Sequence, residues 1–175
     1  NPLRFMKQYA AAGMKFPVVS GETGGDDALL RIMGDEFLGM YSCCPYTLDL
    51  ANDSNKRFVA AMQKDFGVDP GFYAAGLYVA TQVVDEGLKL AGGKSDDRAA
   101  LTKAMRSVKL KDTPRGDLSF DHLGNVVGDF FIRRVEKAGG KYVNKTLKTY
   151  KNVSQFWTYE EKAFLARPVY SRNYP

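Results

Sequence analysis

The chain has 175 residues, 45% of them hydrophobic and 13% aromatic, with 26% charged residues and a formal net charge of +5. That balance belongs to an ordinary globular protein and excludes a disordered chain. Lys7, Arg31, Lys56, Lys89, Lys103 and Lys148 are interleaved with acidic residues, which makes solvated faces rather than a nucleic-acid track, and no apolar run reaches the roughly 18 residues of a membrane span.

In the first section Phe5 and Tyr9, one turn apart with Leu3, Met6 and Ala10 beside them, predict a helix over 3–12 that Gly13 stops. Phe16–Val19 is a short apolar run, read as a buried strand, and Ser20–Gly25 is a glycine-rich loop. Asp26 or Asp27 caps a helix over 27–33 that Gly34 ends, and Leu38–Cys44 is a second strand. Short strands alternating with helices predict an α/β chain with a parallel sheet flanked by helices.

A polar connector, Thr47–Ser54, leads to a helix over 54–66 that turns Phe58, Met62 and Phe66 to one face and ends at Gly67. Asp69-Pro70 reads as a cap with proline in the first helical position. The helix behind it, 70–90, presents Tyr73, Leu77, Ala80, Val84 and Leu88 inward, and Gly92-Gly93 stops it. Ser95 caps a shorter helix carrying Leu101, Ala104, Met105 and Val108. Asp117–Phe120 then alternates, 121–125 turns, and Val126–Val135 pairs with Tyr142–Tyr150 through Lys137-Ala138-Gly139-Gly140 as a hairpin. Phe156, Trp157, Tyr159, Phe164 and Tyr170 make the tail too aromatic for a free linker, so it is expected to pack on the body.

The sequence offers little catalytic chemistry. The single histidine, His122, falls in a turn, which rules out a multi-histidine metal site and reads as a surface residue rather than a base. No phosphate loop or dinucleotide fingerprint is completed, so no catalytic residue, metal ligand or cofactor is assigned. Cys43-Cys44 is read as two small hydrophobes at a strand end, a strained disulfide being the alternative. Asp26-Asp27 and Asp96-Asp97 fall at helix starts and are read as caps.

Glu22 is the exception. It stands in the glycine-flanked loop after a strand, where open α/β sheets bind ligands, and its carboxylate can take an ammonium or hydroxyl, with loop exposure as the plain alternative. Tyr73 in the first turn of a helix, and Tyr46 just past the second strand, each read either as core or as a wall of a binding site.

Taken in order, "FMKQYAAAGMKFPVVSGETGGDD", "MGDEFLGMYSCCPY", "NKRFVAAMQKDFGVDPGFYAAGLYVATQVVDEGLKLAGG", "TPRGDLSFDHLGNVVGDFFIRRVEKAGGKYVN" and "NVSQFW" resemble the type I periplasmic solute-binding proteins of the leucine/isoleucine/valine-binding class, including their aromatic-acid-binding relatives. The resemblance runs from Phe5 to Trp157 and covers the C-terminal half of a two-lobed fold with crossing strands between its lobes. It implies that 1–46 belong to the C-terminal lobe, that 47–115 are helices returning to the N-terminal lobe, that 116–155 are a crossing strand and hairpin, and that 156–175 extend beyond the family. It implies a non-enzymatic, periplasmic binder of an amino acid or aromatic acid, closing about a hinge and docking on a membrane permease of the ATP-binding-cassette kind. The missing N-terminal lobe is its structural partner, and no nucleic acid is involved. It also implies ligand contacts from Glu22, Thr23, Tyr73 and Tyr46. A sensor domain of the same fold, or a small α/β hydrolase, is the rival reading.

Overall fold

The computed structural model describes residues 1–168. Helix α1, Pro2–Ala11, starts where the Asn1 side chain accepts the Arg4 amide at 3.3 Å and buries Met6, leaving Phe5 outside. A 3-10 turn at Asp27–Ile32 and another at Asp35–Phe37 replace the single helix expected over 27–33. The strand β1, Val19–Ser20, precedes these turns, and β2, Tyr41–Cys44, follows them. Helices α2, Asp53–Phe66, α3, Phe72–Leu90, and α4, Arg98–Ser107, follow, then β3, Leu110–Thr113, and β4, Gly116–Phe120. The hairpin β5, Val126–Ala138, and β6, Lys141–Val153, comes next, and a short helix α5, Glu161–Leu165, ends the described chain.

These strands form one mixed sheet of six, ordered β1-β2-β5-β4-β3 with β6 on β5. Only β1 and β2 run parallel, so the parallel sheet expected from the alternation shrinks here to one pairing, and the rest is antiparallel. One edge of β5 does two jobs: residues 126–128 pair with β4, and residues 131–134 pair with β2. The long strand therefore passes from one group of strands to the other, while β6 pairs along its opposite edge. The core is divided accordingly. Met6, Leu30, Met33, Phe37, Met40 and Val135 pack at one end. Val79, Val83, Val108 and Leu118 pack at the other. Cys44, Tyr46, Phe58 and Ala75 form a small cluster of their own.

Several sequence expectations change. Val19 is 78% exposed and Phe16 is also outside, because β1 is a sheet edge with no neighbour beyond it among the described residues, so the apolar run is not a buried strand. Asp97, not Ser95, caps α4, accepting the Ala100 amide at 2.9 Å. Gly71 rather than Asp69 precedes α3, and Pro70 is buried before the helix instead of starting it.

The face of α3 is the largest departure. Its buried stripe is Ala75, Val79, Val83 and Gly87, four residues apart in turn, and Gly87 leaves room for Met105 of α4. Tyr73, Leu77, Ala80 and Val84 lie outside, Leu77 at 72% exposure. The helix has two apolar stripes and one polar stripe, and the periodicity at 73, 77, 80 and 84 picked the one without a partner among the described residues. On α2, Phe66 is likewise exposed while Phe58 is buried.

His122 sits exposed in the turn before β5, with Nε2 3.0 Å from Glu161. The aromatic tail does pack on the body: Trp157 meets Tyr150 edge-on at 4.9 Å, and buried Phe156 meets Phe164 at 5.7 Å. Tyr170 lies outside the described residues.

Candidate functional site

The loop from Gly21 to Asp26 leaves the sheet at the carboxyl end of β1. It folds back on itself so closely that a methyl group on Gly24 would collide with the Ser20 side chain. Beneath it lies Arg133, opposite Ser42 in register and fully buried. Its guanidinium has five N–H groups, and all find acceptors. Nε and Nη2 donate to Ser42 Oγ at 3.2 and 3.1 Å, Nη1 to Asp27 Oδ2 at 2.8 Å and to the Tyr46 carbonyl at 2.9 Å, and Nη2 also to the Gly25 carbonyl at 2.9 Å. Asn144 of β6 adds its Nδ2, donating to the Gly25 carbonyl at 2.7 Å and to Asp27 Oδ1 at 2.9 Å. The loop backbone is thus clamped from below by two strands.

Asp26 clamps it from the side. Its Oδ1 accepts the Phe72 amide at 3.0 Å, and Gly71 carries no side chain that would obstruct the carboxylate. The adjacent acids are therefore not caps of the turn they precede, as the sequence suggested. Asp26 caps α3, forty-six positions on, and Asp27 is the counter-ion of a buried arginine. Burial pushes the Asp27 carboxyl up to about 6, against the pull of Arg133 and the Asn144 hydrogen bond.

Above this floor the predicted residues separate. Glu22 is half-buried on the loop and Thr23 is exposed. No hydrogen bond or ion pair engages the Glu22 carboxylate among the described residues. Its charge is felt by Cys43, Cys44 and Arg115, which places it over the end of β2. Tyr73 is 64% exposed in the first turn of α3, stacked on Phe72 at 4.1 Å, next to the amide that Asp26 holds. Tyr46 is different. It is fully buried against Cys44, Phe58 and Ala75, and its hydroxyl donates to Asn55 Oδ1 at 3.1 Å. Asn55 in turn donates to the Leu48 and Leu50 carbonyls. Tyr46 belongs to the floor, and burial holds its hydroxyl far above the usual phenol range.

Both cysteines are free thiols. Adjacent residues of a strand point to opposite faces, and Cys44 is buried with its thiol pushed up to about 11 by desolvation. Cys43 is half-buried on the other face and is also raised, by burial first and by Glu22 second.

Sequence reading missed Arg133, Asp27 and Asn144 as the supports of the loop. One signal was present: Phe131, Arg133 and Val135 share a face of β5. A charge flanked by two inward apolar residues demands a buried partner.

A family profile described as periplasmic binding protein matches residues 2–141. The chain belongs to this family. Its architecture is that of the type I members. A solute binding protein of an ABC transporter from Rhodopseudomonas palustris BisB5, in complex with 3,4-dihydroxybenzoic acid, is 37% identical, with a TM-score of 0.81 over 87% of this chain and 43% of that one. A second R. palustris solute binding protein, in complex with benzoate, is 29% identical, with a TM-score of 0.75 over 86% of this chain and 40% of that one. A leucine binding protein from Thermotoga maritima shares the fold at 20% identity, with a TM-score of 0.72 over 86% of this chain and 41% of that one. None of the curated proteins matches the sequence. The chain spans less than half the length of these solved periplasmic binding proteins. Among the described residues no helix is long and apolar enough to cross a membrane.

Proposed function

We propose that this chain forms one wall of the solute cleft in the substrate-binding component of an ABC importer, and that it captures a small amino acid or aromatic carboxylate without altering it. The facing wall comes from the N-terminal lobe, most of which lies outside these 175 residues. Residues 1–46 and the crossing strand and hairpin over 116–155 stand on one side of the hinge, and the helices between 47 and 115 return to the other. Closure shifts an open–closed equilibrium because the solute contacts both lobes. A membrane permease then recognises the closed form on the periplasmic side.

The observation that carries this reading is the likeness, at 37% identity, to a solute binding protein holding 3,4-dihydroxybenzoic acid. The loop geometry supports it. Glu22 and Thr23 rise from a backbone that Arg133, Asn144 and Asp26 immobilise, so their groups meet a solute at little entropic cost. Tyr73 offers an exposed ring beside the same loop.

Thermal unfolding of the two-lobed protein, with L-leucine, benzoate and 4-hydroxybenzoate at millimolar concentration, tests the reading. One class of solute is expected to raise the midpoint and to be recovered chemically unchanged by mass spectrometry. Conversion of the solute, or no shift with any of the three, counts against capture.

A further inference from the structure

Two arginines lie beneath or beside the Glu22 loop, and they are used differently. Arg133 spends every N–H on the protein. Arg115 spends one: its Nε donates to the Pro45 carbonyl at 3.2 Å, and its terminal nitrogens have no protein acceptor among the described residues. No carboxylate of those residues lies within ion-pairing distance of it either.

The root of this side chain is fixed. Arg115 stands in the turn between β3 and β4, behind Pro114, which is fully buried. The Thr113 hydroxyl donates to the Gly116 carbonyl at 2.6 Å and accepts the Arg115 amide at 3.1 Å. Asn52, the cap of α2, donates to the Thr113 carbonyl at 2.7 Å. Gly116 completes the turn at φ +87°, a conformation that suits glycine.

Its position is also defined. Pro45 is the first residue after β2, and β2 is parallel to β1, so Pro45 and the Glu22 loop leave their strands at the same carboxyl end. Glu22 biases the Arg115 guanidinium toward its charged form without pairing with it. A half-buried cation with open donors is partly desolvated already, and an anionic acceptor compensates it more strongly than a neutral one. Burial accordingly lowers the Arg115 pKa. A planar fork with free terminal nitrogens matches a carboxylate in bidentate geometry.

We infer that Arg115 receives the carboxylate of the captured solute, which leaves Glu22 to an ammonium or hydroxyl at the solute's other polar end. The inference rests on the solute-capture reading above and narrows it to carboxylates, with the recognising cation on this chain.

Isothermal titration of the two-lobed protein with benzoate, its neutral isostere benzamide, and L-leucine tests this. Wild type is expected to prefer benzoate to benzamide, or to bind L-leucine, with at least about tenfold selectivity for the carboxylate form, the worth of one charge-assisted hydrogen-bond pair. Arg115→Gln is expected to lose that factor against the carboxylate while leaving benzamide unchanged, and Arg115→Lys to retain part of it. Wild type holding benzamide as tightly as benzoate overturns the assignment without needing a variant, and leaves capture standing. An Arg115→Gln protein with undiminished carboxylate affinity also overturns it alone. A wild type on which none of the three solutes registers sinks capture itself, and Arg115 with it.

Discussion

Arg133 and Asp27 form an ion pair at 2.8 Å with 0% and 1% of their side chains exposed. The pair joins the crossing strand β5 to the turn that follows the Glu22 loop, so the loop's position is set from inside the molecule rather than by its own residues. A charge so enclosed is stable only with its partner, and the partner's absence is what mutation reveals.

Arg133→Met removes the cation, strips the Tyr46 carbonyl of its side-chain donor and leaves the buried Asp27 with only the Asn144 amide beside it. It is expected to cost about 3–5 kcal/mol at neutral pH. Acidification toward pH 5 is expected to recover part of that loss, because a protonated Asp27 no longer needs a counter-ion. Asp27→Asn keeps the shape but leaves the Arg133 cation buried without its counter-ion, and because arginine does not shed its charge it is expected to cost at least as much at pH 7 and to gain nothing from acidification. Urea unfolding of the three proteins at pH 5 and 7 compares them.

The Asp27 carboxyl itself titrates within reach of ordinary buffers. Its folded pKa, raised by burial to about 6, lies above the ordinary value of 3.8. A raised acid takes up its proton on folding, so its contribution to stability is fully present below pH 3.8 and is lost as pH rises through about 6. The stability of wild type relative to Asp27→Asn is therefore expected to fall between pH 4 and pH 7. A difference that stays flat across that window places the titration elsewhere.

Glu22 makes no contact that the fold depends on, so Glu22→Gln is expected to leave unliganded stability within about 0.5 kcal/mol of wild type. Solutes carrying an ammonium are expected to bind about tenfold more weakly, the worth of a charged hydrogen bond. Gly24→Ala is expected to do the reverse in kind, lowering stability through its collision with Ser20 before any solute is added. Calorimetry read with and without L-leucine separates the two effects.

Much of the chain was legible because its signals are local. The long helices and the last strands follow from periodicity, Gly67 ends α2, and the Gly139-Gly140 turn sets the hairpin, whereas β3 and the 3-10 turns were not read. Asp26, Asp27 and Arg133 were not legible as a group, because their partners lie 46 to 106 positions away and nothing local distinguishes a cap from a counter-ion. Tyr46 read either as core or as a wall, and the sequence did not choose because its burial depends on Asn55 and Phe58. The α3 stripes failed for a related reason: both are apolar, and sequence alone does not say which one the described residues cover.

That bare stripe has a measurable consequence. Leu77 and Val84 stand exposed on α3, with Tyr73 one turn before Leu77. Apolar rows of this kind promote association, so the 175-residue chain on its own is expected to self-associate. Leu77→Lys with Val84→Lys is expected to reduce that association while leaving helix content unchanged. Light scattering and circular dichroism across a concentration series report both quantities, and a wild-type chain that stays monomeric at high concentration contradicts the expectation.

Cys43 provides a reporter for the position of Glu22. The thiolate is the reactive form, and at Cys43 it is disfavoured by burial and then by the Glu22 carboxylate, while Cys44 is sealed in the core. Iodoacetamide at pH 8 is therefore expected to modify Cys43 slowly and Cys44 not at all in the native protein. Glu22→Gln removes one of the two restraints and is expected to accelerate the Cys43 reaction. A solute seated over the end of β2 is expected to slow it again in both proteins. Peptide mass spectrometry assigns the modified thiol, and a Cys43 rate indifferent to the Glu22 substitution would show that the carboxylate does not lie over that strand end.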